Sequence, residues 1–434
     1  MKKILLSIIL ITGVLMGSVL PKYYEKTLKN GLQVVVIPIN RGSDVITTDI
    51  FYKVGSGDEI MGKSGIAHML EHMNFKSTKH LKAGEFDKIV KGFGGVNNAS
   101  TGFDYTHYFI KSSSKNLGKS LKLFAELMAN LNLKDSEFQT ERKVVLEERY
   151  WRTDNSPMGY LYFRLFNNAY LYNSYHWTPI GFIDDIKSWT IEDIREFHKM
   201  YYQPKNAIVV VAGDMKPNDV FKESEKYFGN IKNSVAIKRS HQTEPPQDGE
   251  KDIIVHKDSQ VQMVGIAYHI PDFKSQDQVA LSVIGEILGR GKSSRLINNL
   301  VDKKREVNQI FAYNMENKHP GLFLIIAVCN PGVDANIVKK DILKELEKIK
   351  KSSVTKKELE KIKTNTKADF IYSLESSSSV ASLFGSYLAR GDIKPLLTYE
   401  ENIDKLSTET IKEVANRYFD AKNRTILILK KDQK

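Results

Sequence analysis

His68-Met69-Leu70-Glu71-His72 sets two imidazoles and one carboxylate at i, i+3 and i+4. On a helix, residues three and four apart share a face. His68 and His72 then become neighbouring metal ligands, with Glu71 beside them as a candidate base. Only 10 histidines occur in 434 residues, so this grouping is rare by chance, whereas a lone histidine would be read as an ordinary buried hydrogen-bonding group. The segment is predicted to be helical. Ser64 precedes Gly65-Ile66-Ala67 as the expected N-cap, and no proline interrupts Ile66 to Phe75. The order H-x-x-E-H inverts the H-E-x-x-H signature of zinc peptidases.

Such a site needs a third protein ligand and leaves the fourth position to water. The candidate stretch is Glu141-Arg142-Lys143-Val144-Val145-Leu146-Glu147-Glu148-Arg149. Asp135-Ser136-Glu137 offers the helix start, and Val144, Val145 and Leu146 its expected apolar side. Glu141 and Glu148 lie two turns apart on one face, while Glu147 is rotated away by about 100° and is expected to be solvated. Spacing alone does not choose between Glu141 and Glu148 as the ligand.

At these residues the chain resembles the pitrilysin-type (inverzincin) zinc metallopeptidases, and within them bacterial homologues of the mitochondrial processing peptidase catalytic subunit. That family carries H-x-x-E-H and, well downstream, E-R-x-x-x-x-x-E, matched here by Glu141-Arg142 through Glu148. Gly94-Gly95-Val96-Asn97-Asn98-Ala99-Ser100-Thr101, followed by Asp104, Thr106 and Tyr108, is similar to its G-G-x-x-N-A-x-T stretch. So are Tyr202-Gln203-Pro204-Lys205-Asn206 before Val209 to Asp214, and Ser293-Ser294-Arg295-Leu296. The resemblance implies that His68, His72 and Glu148 bind one Zn2+ per chain. It makes Glu71 the general base acting on a zinc-activated water, and Glu141 a residue that orients a ligand histidine. It also implies that Asn98, Ala99, Ser100 and Thr101 belong to an open sheet edge, where the substrate adds as an extra strand. Thr101 to Phe109 alternate as one run rich in β-formers. Edge pairing holds a peptide backbone while reading little of its sequence; the plain alternative is an ordinary edge strand.

The rest of the chain bounds the molecule. Its 434 residues exceed one ordinary domain, which predicts two lobes. The net charge of +12, from 64 basic and 52 acidic residues, is dispersed. Without a basic block or arginine–aromatic interleaving, a nucleic-acid partner is not expected. The excess reads as solvated surface and hints at a positive cavity for acidic peptides. Lys2-Lys3 precede an apolar run from Ile4 to Val19 that is too short to span a bilayer comfortably. Residues 1–20 are therefore expected to be a signal peptide or, since the cleavage signal is poor, an N-terminal anchor. The expected location is the bacterial periplasm or cell envelope, with membrane contact only through an uncleaved leader. Cys329, the sole cysteine, cannot form an internal disulfide and is expected to be a buried small hydrophobe.

Residues 233–252, polar and carrying Pro245-Pro246, are the expected linker between a catalytic lobe (21–232) and a second lobe (253–434). One constant offset pairs Ile186 with Ile403, Glu192 with Glu409, Ile194 with Ile411, Tyr201 with Tyr418 and Asn206 with Asn423. A gap-free register this long indicates duplication. The predicted fold is α+β, two homologous α/β-roll lobes, which by the resemblance form half of a clamshell. The same offset sets Gly285, Leu288 and Gly289 opposite His68, Glu71 and His72, so the second lobe carries no metal motif.

The chain departs from the family at one place. Val301 and Asn308 stand where the family's second lobe usually offers an Arg/Tyr pair, and Arg305 and Tyr313 are out of register. A related partner chain supplying that pair is therefore expected, giving a heterodimer, with a homodimer as the alternative. The expected function is a zinc-dependent endopeptidase acting on unfolded peptides or protein segments. The alternative is a non-catalytic structural or peptide-binding, chaperone-like member of the same fold.

Overall fold

Eleven strands are found among the residues described by the computed structural model, which are 19–40, 42–239, 242–352 and 354–432. The first sheet contains β1 (Tyr24–Thr27), β2 (Gln33–Pro38), β3 (Val45–Tyr52), β4 (Val96–Thr101), β5 (Thr106–Ser113) and β6 (Ala207–Gly213), in the order β1-β2-β6-β3-β5-β4. The second contains β7 (Lys251–Lys257), β8 (Met263–His269), β9 (Val307–Asn314), β10 (Leu322–Cys329) and β11 (Arg424–Lys431), in the order β7-β11-β8-β10-β9. Apart from β1, the two sheets have one topology. In each, the first-lying strand runs parallel to the last (β2 with β6, β7 with β11), and the remaining pairs are antiparallel. Local chemistry repeats as well. The helix before β6, Ile191–Tyr201, is capped by the Thr190 hydroxyl, and the one before β11, Thr408–Tyr418, by that of Ser407. The duplication read from the offset is thus two α+β lobes of one design.

Strands β2, β6, β8 and β10 are largely apolar runs because both faces are buried, whereas central β3 also buries Thr47, Thr48 and Asp49. Val34, Val36, Ile50, Val209 and Val211 pack on helices of the first lobe, including Ile66–Asn74. Val35, Ile37, Phe51, Ile208 and Val210 face the other way, against Val380, Ala381, Phe384 and Tyr387 of the helix Ser377–Arg390. The second sheet mirrors this arrangement. Leu322, Leu324, Ile326, Leu427 and Leu429 pack on Leu161, Leu165 and Phe166 of the helix Pro157–Ala169. Each half of the chain therefore lends one helix to the other half's sheet. A fully buried leucine or phenylalanine contributes about 1.5–3 kcal/mol, so this exchange joins the lobes strongly.

The crossing is tight at Gly385. A Cβ built there would lie 2.0 Å from Cε2 of Phe51. That ring is stacked on His107 at 4.2 Å, which leaves it little room to yield. Gly385→Ala is expected to lower the melting temperature, since overpacking costs about 1–3 kcal/mol and exceeds the gain of about 1 kcal/mol in helix propensity. Thermal unfolding followed by circular dichroism checks this; an unchanged or raised midpoint would contradict such close packing.

Most of the leader expected over 1–20 lies outside the described residues. Among the described residues no helix is long and apolar enough to cross a membrane. Cys329 is buried in the second lobe's core, and burial pushes its thiol up to about 12.

Candidate metal centre

The first motif is helical over Ile66–Asn74. Ile66, Ala67, Met69, Leu70 and Met73 are buried, which leaves His68, Glu71 and His72 on the face turned to a cavity. Ser64 does not cap this helix, contrary to expectation. Its amide and hydroxyl both donate to Asp185, and the N-cap is Gly65, at φ +84°. The cap is supplied from a distance by Glu59, whose carboxylate accepts from the amides of Gly65 and Ala67, each at 2.8 Å, and from Trp177 Nε1 at 2.7 Å. Burial pushes Glu59 up to about 8 despite those three donors. Glu59→Ala would strand all three, so a stability loss of at least about 2 kcal/mol is expected. Chemical denaturation measures it; a loss below about 0.5 kcal/mol would remove Glu59 from this role.

The second helix spans Asp135–Arg149. Its buried positions are Phe138, Glu141, Val145 and Arg149, a single narrow stripe. Val144, expected on the apolar side, is 47% exposed because it falls outside that stripe. Glu147 is exposed. The chain continues as a π turn, Tyr150–Asp154. Buried Arg149 anchors it by donating to both carboxylate oxygens of Asp154, at 3.0 and 3.1 Å, and by lying 3.9 Å over the Phe163 ring.

These two helices bring four side chains together. His68 Nε2 is 3.7 Å and His72 Nε2 3.3 Å from Glu148 Oε2. One ligand atom from each of His68, His72 and Glu148 can be chosen so that all lie within 4.8 Å of one another. Glu141 meets the other ring nitrogen of His72, with Nδ1 to Oε1 at 2.9 Å, while Lys76 Nζ sits 2.5 Å from its second oxygen. A carboxylate accepting from Nδ1–H leaves Nε2 as the nitrogen that can bind a metal once its own proton is lost, as in carboxylate–histidine–metal arrangements. The donor set of two imidazoles and one carboxylate, with room for water, suits zinc.

The electrostatics follow from burial and pairing. Burial, aided by the neighbouring His72, pushes His68 down to about 4. Burial alone would lower His72 too, but Glu141 and Glu148 outweigh it and hold the ring at about 9. Glu148 is held at about 2, chiefly by His72. The site thus favours positive charge between its carboxylates. Burial raises Glu71 above the usual carboxylate range, opposed by a hydrogen bond from the Thr101 hydroxyl.

Asn98, Ala99, Ser100 and Thr101 line the same cavity, which has a volume of about 630 Å3. They sit on β4, which among the described residues is the outermost strand of its sheet and is paired only to β5. The expected single run from Thr101 to Phe109 is instead a hairpin. β4 ends at Thr101, and a turn is closed by the Gly102 amide on Tyr105 O at 2.9 Å. The turn is held by Asp104, which accepts from the Lys318 amide of the second lobe at 2.8 Å, a tertiary contact that local alternation does not register. Val301 packs against the second lobe's core, and Asn308 is exposed on the outer strand β9. Glu59 and Arg152 were not singled out by sequence reasoning. Arg152, at i+4 from Glu148, had a readable signal; Glu59 had none.

Comparison with known proteins accords with this geometry. The family model described as "Insulinase (Peptidase family M16)" matches residues 34–173, and "Peptidase M16 inactive domain" matches residues 188–366. A relative named "Zinc protease PqqE" from Helicobacter pylori is 56% identical, over 95% of this chain and 94% of its own. The crystal structure of a protease from Helicobacter pylori superposes with a TM-score of 0.93 at 55% identity, covering 95% of this chain and 100% of that one. The periplasmic protease PqqL from Escherichia coli shares the fold, with a TM-score of 0.78 at 17% identity over 94% of this chain but 47% of its own. With an H-x-x-E-H helix facing a glutamate helix, and with both family models and a close relative matching, the chain belongs to peptidase family M16.

Proposed function

We propose that the chain is a zinc-dependent endopeptidase that hydrolyses peptide bonds in unfolded peptides or protein segments, with one zinc ion per chain. The observation that carries this reading is the convergence of His68, His72 and Glu148, with Glu141 bound to the far nitrogen of His72. A zinc ion held there would act as a Lewis acid and lower the pKa of water to about 7. Glu71, raised by burial, takes the proton of the attacking water on its carboxylate and returns it to the leaving amide nitrogen. The Thr101 hydroxyl holds one Glu71 oxygen in place. Lys76 offsets the charge of Glu141, so that carboxylate orients His72 without competing for metal. The edge of β4 that is unpaired among the described residues offers backbone donors and acceptors to an extended peptide, which would be bound with little sequence reading.

Two related halves are the proposed working unit. The chain matches slightly under half of the PqqL protease, so that single chain has room for two such units. Val301 and Asn308 leave this one without the Arg/Tyr pair, which a related partner chain would supply; a homodimer is the alternative. The proposed location, from the leader and the periplasmic neighbour, is the periplasm or cell envelope. Cleavage of a mixed peptide pool, with and without a chelator, tests the reading. Products are expected to vanish on chelation and return with added zinc. Cleavage that persists without metal would end the assignment, and binding without any cleavage would favour the peptide-binding alternative.

A further inference from the structure

We propose that Arg152 selects substrates carrying an aspartate or glutamate beside the bond that is cut, an inference that rests on the peptidase reading above. Two arginines follow the candidate ligand Glu148, and they are used differently. Arg149 is buried and its guanidinium is spent on Asp154, on the Gly181 carbonyl and on the Phe163 ring. Arg152 has a side chain 63% exposed in the wall of the metal-site cavity. Its Nε lies 3.0 Å from Glu148 Oε1, while Oε2 of the same carboxylate is the atom that faces His68 and His72. Among the described residues, no hydrogen bond engages its two terminal nitrogens, and no other lysine or arginine lines the cavity.

Counting charge shows what this cation lacks. A zinc dication is balanced by Glu148 and Glu71, and Glu141 is balanced by Lys76. Arg152 then shares Glu148 with the metal, so its charge is only partly offset in the cavity that β4 also lines. A strand added to β4 sends successive side chains to opposite sides, and since β4 and Arg152 line one cavity, we place one residue next to the reacting bond on the wall that carries Arg152. A planar guanidinium with free N–H groups is matched by a carboxylate. Because the group is partly solvated, the preference should be modest, about two- to fivefold, and should weaken at high salt.

The test uses fluorescent peptides identical except for Glu, Gln or Lys at the position flanking the cleaved bond. Affinities are measured by anisotropy on the zinc-loaded full chain carrying Glu71→Gln, and kcat/KM on the wild type. The Glu-to-Gln preference should be about two- to fivefold, fall to near one in Arg152→Gln, and reverse toward Lys in Arg152→Glu. Ratios within each protein cancel any general loss of metal or activity, and Arg152→Gln alone decides if Arg152→Glu binds zinc poorly. A wild-type ratio near one, or a ratio that survives Arg152→Gln, overturns the proposal. Charge-selective binding that depends on Arg152 but is never followed by cleavage would overturn the peptidase reading and, with it, selection beside a cleaved bond, whereas cleavage without charge selection would overturn this proposal alone.

Discussion

Glu71→Gln is expected to lower kcat by about 10²- to 10⁴-fold while bound zinc and folding stay unchanged. Glutamine has the size and shape of glutamate and can still accept the Thr101 hydroxyl, so the helix Ile66–Asn74 and its neighbours have no reason to move. What it cannot do is take a proton from water and hand it to a leaving amine. Glu71 is not among the three groups placed to hold a metal, so zinc content should match the wild type. The measurement pairs steady-state cleavage with metal analysis of the same sample. Cleavage within a few fold of wild type would exclude Glu71 as the base, and lost zinc would show that it serves the metal instead.

Glu148→Gln should cost more in metal than in fold. Its Oε2 is the shared neighbour of both imidazole Nε2 atoms, and it provides the anionic ligand that a zinc dication needs. Zinc affinity is expected to fall by more than about 100-fold, beyond the 10- to 100-fold loss typical of outer partners. Glu141→Gln belongs to that milder class, because its carboxylate contacts His72 Nδ1. Glu147→Gln should leave affinity unchanged, since that side chain is exposed. Competition titration against a chromophoric chelator ranks the three. Any order other than Glu148, then Glu141, then Glu147 would overturn the roles proposed for them.

Much of the candidate site was legible because it is written at helical spacing. His68, Glu71 and His72 share a face by geometry alone, and so do Glu141 and Glu148 with Glu147 turned away. The paired lobes were legible because one offset aligned their helices and strands. The capping of the first helix was not. Ser64 has the right chemistry next to the helix, but Asp185, far along the chain, claims its hydroxyl. The hairpin at Gly102 to Tyr105 was missed for a similar reason: alternation continued through a turn that Asp104 fastens to the other lobe.

The amino-acid sequence by itself determined which residues could meet a metal and that two lobes of one design would form, since both follow from short-range periodicity and repetition. Tertiary structure alone decided three other matters. It assigned Glu141 to His72, gave Arg149 a structural place while leaving Arg152 facing the cavity, and crossed the helices Pro157–Ala169 and Ser377–Arg390 between the sheets. The physical reason is common to all three. Each depends on which distant surfaces bury one another, and side-chain partners across such contacts have no fixed spacing along the chain.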